Sequence, residues 1–125
     1  MEKSAEMYKF VSDYLYNIAE VDNDNTVLEL FETRFLDYVK NEKFDRVIVN
    51  IPLMEYKSPN NIMRAYSMLD TNGIFVATVD LSWFMRNDSI SEKFVDFLKS
   101  RGAMIQELTD KTCVIKIDNR HGRNL

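Results

Sequence analysis

The chain has 125 residues and a mass of 14.7 kDa, enough for one compact core and too short for two ordinary domains. Its 16 basic and 20 acidic residues leave a net charge of −4, the reverse of the clustered Lys and Arg that non-specific nucleic-acid binding uses, so the charge suits a basic protein partner better. No apolar run reaches the length of a membrane span, and Glu2, Lys3 and Glu6 interrupt the start, which points to a soluble, cytoplasmic protein.

Residues 4–20 place Tyr8, Val11, Leu15 and Ile18 at steps of three and four, with Lys9, Asp13 and Asn17 opposite, the pattern of an amphipathic helix. The polar run "VDNDN" stops it by competing for backbone hydrogen bonds. "TVLELF" predicts a short strand over 26–30, and Phe35, Leu36 and Val39 predict a helix over 33–41. "DRVIVNI" is a β-branched run typical of a parallel strand covered on both faces, ended by Pro52. Ile62, Ala65, Tyr66 and Leu69 then share a helical face, and "DTNG" closes that helix with Gly73 as its cap. "IFVATV" is another apolar strand. "NDSISEKFVDFLKSRG" opens on capping residues, carries Phe94, Phe97 and Leu98 as its stripe, and ends at Gly102. "AMIQEL" and "CVIKID", joined by "TDKT", predict an antiparallel pair.

This alternation predicts one α/β domain over residues 1–125: an amphipathic helix over 1–20, a core over 26–118 and a tail over 119–125. The single cysteine, Cys113, sits in an apolar alternation where it serves as a small hydrophobe. His121 is the only histidine, so no His or Cys cluster has metal-ligand spacing and no metal is expected. Asp22 and Asp24 lack the glycine and closing glutamate of a calcium loop. Ser82, Ser89 and Ser91 have no histidine placed to activate them.

From residue 30 to 118 the chain resembles class I S-adenosylmethionine-dependent methyltransferases that modify exocyclic amino groups of bases. Phe44, Asp45, Val47, Ile48, Asn50 and Pro52 match that family's "FDxIxxNPPF" strand and turn. "SMLDTNGIFVATV" matches its following helix end and strand, "EKFVDFLKSRGAMIQEL" the next helix, and "RFLDY" a segment that precedes them. The resemblance implies a truncated Rossmann-like sheet, mostly parallel, with a C-terminal antiparallel strand pair.

The departures bear on activity. In the family, a glycine-rich turn lets backbone approach the cofactor, because a Cβ there would obstruct it; here Gly73, Gly102 and Gly122 are the only glycines, and none precedes the "DRVIVNI" strand. In "NPPF" the Asn holds the target amino group, the prolines stiffen the turn and the aromatic stacks on the extruded base; here Asn50 is kept, while Ile51 stands in place of the first proline and Leu53 in place of the aromatic. Asn50, Pro52 and Leu53 therefore form a remnant motif with no catalytic residue assigned. Asn50, Tyr56, Asp80, Trp83 and Phe84 are candidates for a binding rim at the strands' carboxyl ends.

The expected function is that of a non-catalytic methyltransferase-like protein with no cofactor. It would act through protein contacts as an inhibitor or accessory subunit of a nucleic-acid-processing enzyme, of the kind a phage or mobile element carries against a host defence nuclease. One alternative is a base amino-methyltransferase, or half of a split one, using S-adenosylmethionine. Another is a nucleic-acid-binding module. Truncation would leave an open edge beside "RVIVNI", to be covered either by "TVLEL" as a neighbouring strand or by a second copy of the chain, and a homodimer is expected.

Overall fold

In the computed structural model the described residues are 10, 11, 13–21, 27–30, 43–50 and 59–120. They form a five-stranded mixed sheet between helices. Helix α1 covers 10–18. Strands β1 (Val27–Leu30) and β2 (Phe44–Asn50) precede helix α2 (Pro59–Tyr66) and strand β3 (Leu69–Asp80). A 3-10 turn at Leu81–Phe84 leads to helix α3 (Ser89–Ser100), and strands β4 (Met104–Glu107) and β5 (Thr112–Asp118) close the order.

The strand order is β1-β2-β3-β5-β4. β1 lies parallel to β2 and β2 to β3, whereas β5 runs antiparallel to both β3 and β4. Two ladders are parallel and two antiparallel, so the sheet is mixed: the expected C-terminal antiparallel pair is β4 with β5, and β5 alone runs against the other four strands. The reason is that α3 carries the chain one strand beyond β3 to lay down β4, and β5 turns back to fill the gap. The expected helix over 33–41 lies outside the described residues.

The unbroken apolar run of β2 has the cause its composition implies. Val47 and Val49 point to the side covered by α2 and α3, where Ile62, Phe75, Phe94, Leu98, Ile115 and Ile117 are buried. Ile48 points to the other side and packs with Leu15 of α1, Ala19 just after it, Ile74, Val76 and Val114. A strand covered twice needs apolar residues at every position. Each fully buried large side chain contributes about 1.5–3 kcal/mol.

α1 ends in a left-handed residue, Glu20 at φ 58°, with Glu20 N–H bonded to Asn17 O and Val21 N–H to Tyr16 O. That is the hydrogen-bond pattern usually built on glycine. Its carboxylate takes both guanidinium nitrogens of Arg120, at 2.7 and 3.1 Å. Arg46 Nε donates to Ala19 O at 2.7 Å, so a buried cation from β2 satisfies a carbonyl at the same helix end, where the helix dipole favours it. The stop signal therefore lies at Glu20, two residues before the "DNDN" run, which is outside the described residues.

Two expected boundaries move. α2 ends at Tyr66, and Leu69 already belongs to β3, so Gly73 is a strand residue and not a helix cap. The register jumps there, from Phe44 opposite Leu69 to Arg46 opposite Ile74. A Cβ on Gly73 would lie 2.8 Å from Asp45 O and from the Leu69 side chain, and this close approach demands glycine. Residues 119 and 120, expected as the start of a tail, belong to the fold: Asn119 is buried and its N–H bonds Gly73 O, while Arg120 joins Glu20 and Asp118. α3 agrees with expectation. Asp88 caps its first turn through Ser91 N at 2.8 Å, and Gly102, at φ 63°, ends it.

Candidate functional site

The carboxyl ends of β2 and β3 lie side by side, with Asn50 directly opposite Thr78. Strand alternation puts both side chains on the α1 side of the sheet, with Ile48 and Val76. Asn50 is only 3% exposed and Thr78 0%, and the Thr78 hydroxyl donates to Asn50 Oδ1 at 2.8 Å. The oxygen that would receive a target amino group is engaged inside the sheet, where an unpaired amide or hydroxyl would be costly.

Asp80 lies two residues further along β3. Its Oδ1 accepts from Ser82 N–H at 3.0 Å and from Ser82 Oγ at 2.8 Å, capping the 3-10 turn. That turn swings Trp83 inward, where it is 3% exposed and meets Phe94 edge to face at 5.6 Å. Phe84 is half-buried and leans on the same ring at 5.8 Å. Of the rim candidates, Asn50 and Asp80 do end neighbouring strands, but both carry structural hydrogen bonds, and the two aromatics seal the end of the core. Pro52, Leu53 and Tyr56 lie outside the described residues.

Among the described residues, no group of three or more His, Cys, Asp or Glu side chains is arranged to hold a metal, and no helix is long and apolar enough to cross a membrane. Cys113 is buried, and burial raises its thiol pKa, with Glu107 adding to the effect. A thiol held protonated is a poor nucleophile.

Two features went unmarked in the sequence. Strand β4 is the edge of the sheet, and all its residues are exposed, including Met104 at 69% and Ile105 at 51%. Adjacent apolar residues in a four-residue strand signal an edge that is apolar on both faces, although the same letters suit a buried strand. The second is a cavity at the opposite, amino ends of β2 and β3, lined by Lys43, Tyr66, Asp70, Phe97, Arg101 and Asn119 among others. Its residues are scattered over five segments, and no spacing rule connects them.

No protein-family model matches the chain, and no curated protein matches it significantly.

Proposed function

We propose that the chain is a non-catalytic, methyltransferase-like protein of the cytoplasm that works by protein contact, as an inhibitor or accessory subunit of a nucleic-acid-processing enzyme. The observation that carries the non-catalytic reading is the engagement of Asn50 by Thr78 inside the sheet. A side chain that holds the sheet together is not free to grip a base. The methyltransferase-like part draws support from the element order: strand 44–50, a helix, a parallel neighbour, a helix and a closing antiparallel pair. The contact surface favoured by this reading is β4, whose outer edge has no partner strand among the described residues and whose Met104 and Ile105 are exposed. Open edges with apolar side chains pair readily with other chains, including a second copy.

Calorimetric titration with S-adenosylmethionine tests the first half: no saturable heat is expected, and micromolar binding overturns the non-catalytic reading. Capture of a nucleic-acid-processing enzyme from host lysate tests the second. Capture should survive Asn50→Ala and fail with Ile105→Glu. The opposite pattern would return the function to the rim.

A further inference from the structure

The cavity at the amino ends of β2 and β3 has a volume of about 730 Å³, within the range of small-molecule sites. It opens at the far end of the sheet from Asn50 and Asp80. Its walls come from the start of β2, the end of α2, the bulged start of β3, the end of α3 and the residue after β5.

Arg101 is the organising side chain. Its guanidinium lies over the Phe97 ring at 4.5 Å from the centroid and over Tyr66 at 5.3 Å. Cation–π contact with two rings that meet edge to face holds the guanidinium in place before any ligand arrives. Among the described residues the guanidinium has one hydrogen bond, from NH1 to Ser100 Oγ at 2.7 Å, and no carboxylate within salt-bridge reach. Lys43 is a second cation lining the cavity. Its Nζ donates to Ser67 O at 2.6 Å, which uses one of three N–H donors. Asp70 also lines the cavity, but its Oδ1 accepts Thr71 N–H at 2.8 Å, within the bulge. Two cations thus face one carboxylate that is already hydrogen-bonded.

Asn119 supplies the second kind of recognition. Its Nδ2 donates to Tyr66 Oη at 2.9 Å, while its Oδ1 is buried and has no partner. Tyr66 Oη accepts that bond, and its own proton is left for an acceptor. A buried carbonyl oxygen without a donor is destabilising, and a ligand N–H or O–H would satisfy it.

We propose that this cavity binds a small phosphomonoester, with the phosphate on Arg101 and Lys43, the Tyr66 hydroxyl donating to it, and a donor group of the ligand on Asn119 Oδ1. A dianion matches the two cations, and a guanidinium held against two rings can meet phosphate oxygens in pairs. The site is independent of the β4 edge and of the Asn50 rim, so its failure and that of the proposed function are separable.

The full chain, labelled with 15N, is titrated with inorganic phosphate, adenosine 5′-monophosphate, ribose 5-phosphate and succinate, with amide shifts as the readout. The phosphomonoesters should shift residues 69–73 and 119–120 saturably and bind more tightly than inorganic phosphate, while succinate should not bind. Arg101→Gln should weaken phosphomonoester binding about tenfold or more, and Lys43→Gln less, with amide dispersion reporting that each variant is folded. The proposal is overturned by the absence of saturable shifts up to about 10 mM phosphomonoester, by equal binding of succinate, or by undiminished binding in a folded Arg101→Gln variant.

Discussion

If Asn50 is a structural side chain, its partnership with Thr78 should appear as a coupling energy. Asn50→Leu keeps the shape of the side chain and removes the acceptor, leaving the Thr78 hydroxyl, at 0% exposure, with no partner for its proton. Thr78→Val removes the donor and leaves Asn50 Oδ1 unpaired at a site 3% exposed. Each single change should cost about 1–3 kcal/mol, the desolvation cost of one orphaned polar group. The double variant has no orphan left from this 2.8 Å pair, so its cost should fall below the sum of the singles by both orphan costs together, roughly 2 kcal/mol or more. Urea unfolding followed by the fluorescence of Trp83, the only tryptophan, reads this directly. With a slope of about 2 kcal/mol per molar, each single moves the midpoint down by roughly 0.5–1.5 M. Additivity of the two singles to within about 0.5 kcal/mol would refute the reasoning and leave Asn50 available to a ligand.

Two glycines should respond to alanine for different reasons. Gly73→Ala puts a Cβ 2.8 Å from a backbone oxygen of β2 and should cost about 2–3 kcal/mol through displacement of the strands, whereas Gly102→Ala meets no atom and should cost about 1 kcal/mol, from its φ of +63° alone; equal midpoints for the two in urea unfolding would contradict this. Asp118 is held down to about 2 by hydrogen bonds from Arg120, against about 3.9 in an unfolded chain. Because the folded pKa is the lower one, the stabilisation, about 2.6 kcal/mol for the full shift and about 1–2 kcal/mol once solvent screening of this part-exposed pair is allowed for, is complete above the unfolded value and is lost as the pH falls through about 4 towards 2. Arg120→Ala should remove most of that acid-dependent loss, and an unchanged acid limb in chemical unfolding would argue against the pair. Asp88→Ala should cost about 1 kcal/mol by removing the cap of α3, with amide exchange fastest at Ser91, whose N–H it holds; equal protection in both proteins would show that the cap contributes nothing.

Sequence by itself determined much of the element order, because local chemistry carried it. The β-branched run at 44–50 had to be a doubly covered strand, Asp88 and Gly102 had to bracket a helix, and "CVIKID" had to pair with "AMIQEL" across a tight turn. Gly73 shows where local reading stops. After "DTN" and before a strand it has the letters of a helix cap, and only the packing of β2 against β3 reveals that a backbone oxygen occupies the space of its Cβ. Glu20 is the converse: nothing in its letter suggests a left-handed helix end, and its partner Arg120 lies 100 residues away.

The site divided in the same way. That Asn50 and Asp80 end neighbouring strands followed from the order of the elements. Register, a property of two strands and not of one, decided that Asn50 faces Thr78, and with it whether the amide is presented or enclosed. The Arg101 cavity was beyond the reach of sequence, since tertiary folding alone gathers a cation, two rings and a buried amide from segments with no common period.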